Sequence, residues 1–546
     1  ELWTKTLLMP AQTTELGYHF AAVVEKTTYW YGQNVLVDGG PGQTYPDEAD
    51  ATDYNLTVYL SSFKTPAWMR KAVVYQIFPD RFYNGNPKND PVSGTRYGYL
   101  TVYKHKSWSE LPIAGGYDFF GGDLQGIIDK LGYLHKLGIN ALYLNPIFLA
   151  PSNHKYDTSN YMQIDPEFGT LKTFKTLIAD TKKLGMHVIL DGVFNHTGSD
   201  SIYFNEYGRF PDVGAYQSKQ SKYFPWYTFY NWPSSYQTFQ GVDTLPQLSE
   251  IPAVQNFIFK KPGSVAQYWL SQGSSGWRLD SPDLKSDAWW RAFRTAIKAR
   301  YPQSVIIGEY WQDALNWLLG NEWDGVINYQ FRESVLDFFA NGTGAQSPNA
   351  VDAQGFLSDE MGLLEQYPLP AIYASMNIVD SHDVDRILYD LGGNKRALRL
   401  VALFQMTWLG APTVYYGDEA GLTGATDPDD RRTFPWSHQD TSLEGFYRKI
   451  IHIRLASNAL TEGLVRPLLT NVAHRVVAYE RLSGARHAIV LINDGSKADT
   501  VTVGTIGVKT GTVLHDVLNG NHAYTVGKGS KIAVRLNAMS GAVLED

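Results

Sequence analysis

The sequence predicts a (β/α)8 barrel, or TIM barrel, with a short β segment before it and an all-β domain after it. Three observations support this prediction. Between about residues 70 and 460, apolar strand-like runs alternate with segments of helical period, and eight such runs are present. Outside that span the chain consists of short β-type segments. A chain of 546 residues is also long enough for several packed units.

The predicted barrel strands are apolar runs separated by long connections. They are Ala72–Phe78, Ala141–Phe148, His187–Phe194, Gly276–Asp280, Val305–Tyr310, Gly325–Tyr329, Ile372–Val379 and Pro412–Tyr416. Between them, one apolar helical stripe begins at Leu124 and stops near Gly138, and another begins at Leu171 and stops at Gly185. A doubly wound open sheet shows the same alternation, so periodicity alone leaves both architectures open.

The pattern of strand-like and helical segments divides the chain into three predicted domains. Residues 1–65 form a partial N-terminal β module, residues 66–460 form the barrel, and residues 461–546 form a C-terminal all-β domain. Within the barrel, residues 197–272 follow the third strand and are rich in Tyr, Trp, Phe and Pro. A connection of this length is uncommon as a plain loop, so it is predicted to be a functional insertion.

Composition excludes several classes of protein. Acidic residues number 55 against 47 basic ones, and no Lys/Arg cluster recurs, so we expect no nucleic-acid partner. No apolar run approaches the ~18 residues of a membrane span. The chain has no cysteine, which excludes disulfides and thiol chemistry. Aromatic residues make up 14% of the chain, a content that suits either core packing or stacking on sugars.

Four of the apolar runs end in ionisable residues. The ends read DGVFNH (191–196), GWRLDSPD (276–283), GEYW (308–311) and NIVDSHD (377–383). In a barrel, reactive groups lie at the carboxyl ends of the strands, and burying carboxylates there costs free energy unless they are paired or used. Each acid alone could cap a strand or lie in a solvated turn. Together they predict one site that contains Asp280, Glu309 and Asp383.

Two carboxyl groups of opposite protonation suit glycosidic cleavage, in which one attacks the anomeric carbon and the other donates a proton. Arg278 lies two residues before Asp280 on the same strand face, so we expect this cation to keep Asp280 ionised. Glu309 is flanked by Tyr310 and Trp311, and we expect this apolar company to favour its protonated form.

The remaining polar groups of these strand ends are suited to hold a sugar. Asp383 would hydrogen-bond hydroxyls as the ring flattens. His196 and His382 lie beside the acids, where they are suited to hydrogen-bond hydroxyls near the cleaved bond, although a lone histidine is usually structural.

Over residues 70–460 these strand ends resemble the conserved regions of the α-amylase family, glycoside hydrolase family 13. The resemblance implies that Asp280 is the nucleophile, Glu309 the general acid/base and Asp383 the transition-state stabiliser. It also implies that the insertion is that family's domain B and that the region beyond about residue 460 is its β-sandwich domain C. Three further residues are implied to surround the sugar at the cleavage point: Arg278, His196 and His382.

Within that family, four stretches look like the neopullulanase, cyclomaltodextrinase and amylopullulanase group. They are FPDRFYNGNPKNDP (78–91), DFFGGDLQGI (118–127), SNHKYDTSNYMQIDPEFGT (152–170) and DPDDRR (427–432). The resemblance implies that Tyr156 stacks under the sugar at the cleavage point and that Trp311 faces the leaving side. It also implies that Asp427 and Arg431 hold the next sugar on the non-reducing side and that residues 1–65 are the tail of a starch-binding module.

The resemblance further implies a structural calcium ion. Oxygen ligands at short loop spacing suit Ca²⁺, whereas the alternative is an Asn/Asp/Gly/Pro turn without metal. The candidate ligands are Asn84, Asn86, Asn89, Asp90, Gly121 through its carbonyl, and Asp123.

Two stretches depart from the family pattern, and both face the leaving-group side of the cleft. One is LPQLS (245–249), where Gln247 replaces an acid or lysine that is often present, and the other is SPDL (281–284) directly after Asp280. These departures leave the chemistry untouched but put bond preference and transglycosylation in doubt.

We therefore expect a retaining, endo-acting hydrolase of α-1,4 bonds in pullulan, starch or cyclodextrins, with α-1,6 cleavage left open. The alternatives are an α-glucan transglycosylase, which shares the covalent intermediate, and an inactive glucan-binding protein, although this chain keeps all three acids. An extracellular location is expected, because a polymer cannot cross a membrane, and the alternative is a cytoplasmic location for a cyclodextrin specialist. Dimerisation in this group often uses a complete N-terminal module. Because residues 1–65 are expected to be only part of one, a monomer is expected.

Overall fold

The computed structural model describes residues 7–10, 12–34, 42–341, 349–505 and 507–546. Its centre is a closed barrel of eight strands, each hydrogen-bonded in parallel to both neighbours, with the eighth pairing back to the first. The strands are β1 (Val74–Ile77), β2 (Ala141–Leu144), β3 (His187–Gly192), β4 (Gly276–Leu279), β5 (Val305–Tyr310), β6 (Gly325–Asn328), β7 (Met376–Ile378) and β8 (Ala411–Tyr415). Closure decides between the two architectures that the sequence left open, in favour of the barrel.

Side chains of the barrel strands alternate between two apolar clusters, as the two-residue period of a strand requires. One cluster fills the barrel interior and includes Val74, Tyr143, Ile189, Ile307 and Ile378. The other lies between the barrel and its surrounding helices and includes Tyr75, Leu142, Leu190, Trp277 and Ile306. Arg278 pairs in register with the inward-facing Ile307 on one neighbouring strand and with Asp191 on the other. Arg278 and Asp191 therefore also face inward, and they bring polar groups into the mouth of the barrel.

Two of the predicted strands extend more than two residues beyond the observed ones at one end and include residues that belong to a different element, while the ends of the other six differ from the observed ends by at most two residues. The run Ala141–Phe148 divides into β2 and a short strand, Phe148–Leu149, that pairs antiparallel with Asn160–Ile164 outside the barrel. The predicted strand Ile372–Val379 begins too early, because Leu369–Ala374 forms a helix with proline in its first turn. Hydrophobicity alone does not distinguish a buried helical turn from a buried strand.

The predicted helical stripes between the strands are confirmed. Leu124–Leu137 begins after Asp123, whose side chain accepts a hydrogen bond from the Gly126 backbone N–H, and it ends at Gly138 with φ of 103°. The second stripe forms Leu171–Lys183 and ends two residues before Gly185. The other helices are Pro79–Phe82, Pro252–Gln255, Val265–Ser271, Asp287–Arg300, Tyr329–Phe339, Ala353–Gln366, Ile387–Asp390, Lys395–Thr407, Thr441–Ala456 and Asn458–Glu462.

The connection after β3 combines irregular chain, small hairpins and a helical end. Its strands are Phe229–Asn231, Ser235–Tyr236, Thr238–Phe239 and Val242–Pro246. Within the predicted insertion 197–272, the helices from residue 252 onward pack on the barrel, where Trp269 stacks on Phe148 and meets Phe174 edge-on. The compact insertion therefore occupies the earlier part of that segment, and its exact limits remain a prediction.

β-Structure flanks the barrel on both sides in sequence. Before it lie Thr14–Tyr18, Phe20–Val24, Thr27–Gly32, Gln43–Tyr45 and Tyr54–Val58; residues 1–6, 11 and 35–41 of the predicted module lie outside the described part. After it lie Leu464–Asn471, Val476–Ser483, Arg486–Asn493, Asp499–Gly504, Val513–Asp516, His522–Thr525, Lys531–Leu536 and Ser540–Glu545. These last strands form a six-stranded and a two-stranded antiparallel sheet around one shared apolar cluster, as in a β-sandwich. Among the described helices, none has the length and apolar character needed to cross a bilayer.

Candidate active site

Two carboxyl groups at the ends of neighbouring barrel strands contact one guanidinium. Arg278 in β4 places Nη1 3.1 Å from Oδ1 of Asp280 and Nη2 2.7 Å from Oε2 of Glu309, which lies in β5. Asp280 is 9% exposed and Glu309 is 8% exposed. The predicted shared orientation of Arg278 and Asp280 is therefore observed, and both acids face the same interior space.

A third carboxylate, Asp191 at the end of β3, also binds Arg278. Its two oxygens lie 2.9 and 3.0 Å from Nη1, and Oδ2 accepts hydrogen bonds from Tyr143 at 2.7 Å and Tyr156 at 2.9 Å. The sequence reasoning did not single out Asp191, although it is the first residue of the strand-end motif DGVFNH. The same argument that selected the other strand-end acids would have found it.

The electrostatic expectation for the acid pair needs correction. The guanidinium of Arg278 contacts both Asp280 and Glu309, so it does not pair with Asp280 alone. Glu309 therefore has a cation beside its apolar neighbours. Burial raises the pKa of Asp280 well above its ordinary value and also raises that of Glu309; Arg278 opposes the rise and Asp383 adds to it in both cases, so the expectation that Arg278 keeps Asp280 ionised does not hold for the resting site. Ionisation of Glu309 also raises the pKa of Asp280, so ionisation of both acids together is disfavoured.

Asp383, beyond β7, belongs to the same site and faces a second guanidinium. Its Oδ1 lies 3.6 Å from Nη2 of Arg431, whose Nη1 lies 3.2 Å from Oδ2 of Asp427. Arg431 also donates from Nε to the carbonyl of His382 at 2.8 Å. Burial raises the pKa of Asp383, with Arg431 and Arg278 acting against it. The structure thus brings Asp383, Asp427 and Arg431 together.

His382 and Tyr156 lie side by side in a continuous hydrogen-bond chain. The Gln76 amide donates to Nδ1 of His382 at 2.9 Å, so Nε2 carries the hydrogen and meets the Tyr156 hydroxyl at 2.6 Å. The two rings are nearly parallel, with centroids 5.4 Å apart and planes inclined by 8°. Burial, together with Arg431, lowers the pKa of His382 well below its ordinary value, so the imidazole is neutral.

Two more histidines border Tyr156. His196 places Nε2 3.2 Å from the Tyr156 carbonyl, and burial lowers its pKa to about 3. His154 accepts a hydrogen bond from the Tyr156 backbone N–H at 3.2 Å, and burial lowers its pKa to about 3 as well. His154 was not among the predicted site residues, although it lies within the quoted stretch SNHKYDT. Neutral imidazoles can both donate and accept hydrogen bonds, which suits contacts with sugar hydroxyls.

Aromatic and amide side chains extend the cleft beyond the acids. Trp311, directly after β5, is 45% exposed and stacks on Tyr329 with centroids 4.1 Å apart. In the insertion, the Gln237 amide donates to Oε1 of Gln247 at 3.1 Å, and Gln247 forms a β-bridge with His196. The departure from the family pattern at Gln247 therefore lies next to a predicted sugar-binding residue.

The predicted metal-binding residues converge on one loop region. The Asn84 amide donates to Oδ1 of Asp90 at 2.8 Å, and Gly121 has φ of 83° and approaches both so closely that a Cβ there would overlap them. Asp123 accepts hydrogen bonds from three backbone N–H groups, including that of Asn86 at 3.1 Å. The side-chain oxygens of Asn84 and Asn89 are buried without a hydrogen-bond partner in the described structure. Orphaned oxygens of this kind fit a hard cation.

No three His, Cys, Asp or Glu side chains of the described residues gather as a metal site would require. The loop candidate consequently depends on amide and carbonyl oxygens, with Asp90 and Asp123 as its carboxylates. One Asp90 oxygen already lies 3.1 Å from Nζ of Lys104.

Comparison with known proteins identifies this chain's relatives. A family model described as the α-amylase catalytic domain matches residues 76–487. The chain is 38% identical to an amylopullulanase of Thermoanaerobacterium saccharolyticum over 97% of its own length and 46% of that protein, and 39% identical to neopullulanase 2 of Thermoactinomyces vulgaris over 88% and 79%. It thus spans less than half of the amylopullulanases that it matches.

Solved structures agree with these relatives. A cyclomaltodextrinase superimposes with a TM-score of 0.79 at 32% identity, covering 97% of this chain and 86% of that one. A cyclic α-maltosyl-(1→6)-maltose hydrolase from Arthrobacter globiformis, in complex with its named sugar, gives a TM-score of 0.74 at 32% identity, with 88% and 100% covered.

Proposed function

This chain belongs to the α-amylase family of glycoside hydrolases, and from that premise we propose that it is a retaining, endo-acting hydrolase of α-1,4 bonds in pullulan, starch or cyclodextrins. The observation that carries the proposal is the pair Asp280 and Glu309, two buried carboxyl groups held on one guanidinium at the mouth of the barrel. Cleavage of α-1,6 bonds is the finer part of the proposal, since relatives named for pullulan and for a (1→6)-linked cyclic sugar are similar to this chain.

In the first step, Glu309 donates its proton to the glycosidic oxygen while the bond from that oxygen to the anomeric carbon breaks. A carboxylate oxygen of Asp280 bonds to the anomeric carbon, and the shortened glucan leaves with the proton. The raised pKa of Glu309, which burial causes, keeps the proton available for this transfer.

In the second step, Glu309 takes a proton from water as the water oxygen bonds to the anomeric carbon. The bond to Asp280 breaks, and its electron pair returns to the carboxylate. Each carboxyl group then has its original protonation. The cation of Arg278, which touches both groups, stabilises whichever of them is ionised at each stage.

The other acids and the imidazoles hold the sugar ring during these steps. Asp383 would accept hydrogen bonds from hydroxyls of the ring at the cleavage point, and Tyr156 would stack against its apolar face. His196 and His382 would contact the same ring. Asp427 and Arg431 form an ion pair suited to hold the next sugar, and Trp311 offers an exposed indole on the leaving side.

Calcium is part of the proposal. Asn84, Asn86, Asn89, Asp90, Asp123 and the Gly121 carbonyl would hold the ion, whose chemistry there is structural: it would tie the loop after β1 to the start of helix Leu124–Leu137. The buried, unpaired oxygens of Asn84 and Asn89 support this assignment.

Location follows from the substrate in this proposal. A polymer cannot cross a membrane, so cleavage of starch or pullulan favours an extracellular enzyme, whereas cleavage of cyclodextrins alone favours a cytoplasmic one. We propose that the enzyme is extracellular. We also propose that it is a monomer, and light scattering would measure its oligomeric state directly.

The test combines two variants with one digest. Asp280→Asn and Glu309→Gln keep the shape of each side chain, and each should lower turnover of a maltooligosaccharide by at least about a thousandfold without changing the melting temperature by more than a few degrees. Near-normal activity in both would refute the mechanism. Chromatography of a pullulan digest then reports the bond, because panose, isopanose and maltotriose each arise from a different cleavage.

A further inference from the structure

The residue after the proposed nucleophile has a backbone conformation that is unfavourable for its type. Ser281 has φ of 39° and ψ of 55°, in the left-handed region that favours glycine. It also precedes Pro282, and a following proline restricts the backbone further. Such a conformation persists only where the surrounding structure imposes it, and it is concentrated at functional sites.

The surroundings of Ser281 do impose it. The Trp290 indole donates to the carbonyl of Pro282 at 2.7 Å, and Trp290 is only 2% exposed. The backbone N–H groups of Leu284 and Lys285 close the turn onto the carbonyls of Ser281 and Pro282 at 3.4 and 3.1 Å. The turn is therefore anchored from the helix Asp287–Arg300 and cannot relax independently of it.

The consequence of this conformation is one hydrogen bond to the proposed acid/base. The Ser281 backbone N–H points away from its own turn and donates to Oε2 of Glu309 at 3.1 Å. That oxygen is the one that also lies 2.7 Å from Nη2 of Arg278. A neutral donor thus fixes the orientation of Glu309 from the β4 side, next to the nucleophile.

We propose that Ser281 is a positioning residue, whose left-handed backbone aims its N–H at Glu309 and stabilises the carboxylate that forms when Glu309 gives up its proton. This inference rests on the proposed function. The bond from Glu309 oxygen to hydrogen breaks as the glycosidic oxygen accepts the proton, and the N–H of Ser281 then faces a full negative charge. The serine side chain is not required for this role, but the backbone N–H is.

Several other groups face Glu309 and set the background for this effect. Arg278 lowers the pKa of Glu309, Asp383 and Asp283 raise it, and the Ser281 N–H lowers it. The charge of Glu309 in turn raises the pKa values of Asp280 and Tyr329. Replacing only the amide of Ser281 leaves all of these side chains in place.

The decisive experiment removes one N–H. Replacing Ser281 by its α-hydroxy acid analogue converts the amide into an ester, and the matched control places an ester at Leu284, whose N–H closes the same turn without touching Glu309. For a maltooligosaccharide, we expect kcat/KM of the Ser281 ester to fall about tenfold to a hundredfold, with the basic limb of its pH profile moved upward by about one unit. The Leu284 ester should stay within about threefold of the parent, with an unmoved limb.

A substrate that needs no donated proton distinguishes the positioning of Glu309 by Ser281 from general damage to the active site. With α-maltosyl fluoride, whose leaving group departs without a donated proton, kcat/KM of the Ser281 ester should fall less than about threefold. Ser281→Gly keeps the N–H and tolerates the left-handed backbone, so it should retain the parental pH profile. Equal losses on both substrates, or an unmoved basic limb in the ester, would overturn the inference. A parent that hydrolyses neither substrate would instead refute the proposed function.

Discussion

Replacing Arg278 by lysine tests whether the shape of the guanidinium, rather than its charge, organises the acids. In the structure, one nitrogen of Arg278 binds Asp191 and Asp280, and the other binds Glu309. A lysine ammonium is a compact charge on a flexible stem and cannot span these carboxylates at once. Arg278→Lys therefore keeps the net charge of the site, and we expect it to release two of the three acids.

The expected magnitude follows from the contacts that are lost. Hydrogen bonds to charged groups contribute about 1.5–3 kcal/mol each, so losing two of the three carboxylate partners costs about 3–6 kcal/mol in this buried site. A loss of 3 kcal/mol corresponds to about a hundredfold in rate. We expect kcat/KM of Arg278→Lys to fall at least about a hundredfold. Arg278→Met removes the cation as well, leaves buried acids unpaired, and should fall further.

The assay is kcat/KM for a maltooligosaccharide across pH, with melting curves alongside. Without the cation, the pKa values of Asp280 and Glu309 rise, so both limbs of the profile of Arg278→Met should move to higher pH. Arg294→Lys is the control, since Arg294 pairs with Asp324 at 2.8 Å outside the cleft. If Arg278→Lys kept activity within about fivefold of the parent, the argument from guanidinium geometry would be refuted.

Three further changes have expected outcomes. Chelation by EDTA should lower the melting temperature of the parent by several degrees and that of Asn89→Ala much less, as differential scanning calorimetry with calcium titration would show; equal shifts would contradict the calcium site. Glu419 accepts hydrogen bonds from Tyr75 and Tyr133, and burial raises its pKa to about 7. The folded state therefore holds a proton that the unfolded state releases, so the free energy of unfolding falls as pH rises from about 4.5 to about 7. Glu419→Gln cannot ionise, so its melting temperature relative to the parent should increase between pH 5 and 8, with a change in relative stability of at most about 3 kcal/mol. A constant difference in melting temperature would contradict this expectation. Trp311→Ala should raise KM for long oligosaccharides about fivefold to tenfold with little change for maltotriose, measured by initial rates, and equal effects on both would argue against a leaving-side contact.

Much of the fold and the three main acids could be predicted from the sequence because both depend on local rules. Apolar runs and helical stripes alternate with a fixed period, and the acids stand at the ends of runs where a barrel places its reactive groups. Asp280 and Glu309 then share a site without any knowledge of the loops. The closure of the sheet was beyond these rules, because closure depends on which strand pairs with the first, and no local pattern records that pairing.

The electrostatics of the site could not be predicted in the same way. Sequence spacing shows that Arg278 and Asp280 share a strand face, but it does not show how far a guanidinium reaches toward the next strand. That reach, 2.7 Å from Glu309, adds a cation to the apolar company expected for Glu309, although burial still raises its pKa. Likewise His154 lies beside Tyr156 across a turn in which Lys155 adopts φ of 63° and buries its ammonium against Asp165 and Glu167. Such a turn depends on partners distant in the chain.

The balance of charge in the cleft suits the proposed reaction better than perfect neutrality would. Among the described residues, six carboxyl groups lie within ion-pair distance of the guanidiniums of Arg278 and Arg431, and the three histidines that border Tyr156 are neutral because burial lowers their pKa values. Burial raises the pKa values of Asp191, Asp280 and Glu309, which share the single cation of Arg278, so full ionisation of these three acids is unfavourable, and this favours a resting site that keeps the proton used in the first step of the reaction. As the leaving group departs, positive charge develops at the anomeric carbon. The remaining surplus of carboxylates faces that charge, and because they are already oriented by Arg278 and Arg431, they stabilise it without reorganising. The excess of acids thus both stores the proton and stabilises the transition state that follows its transfer.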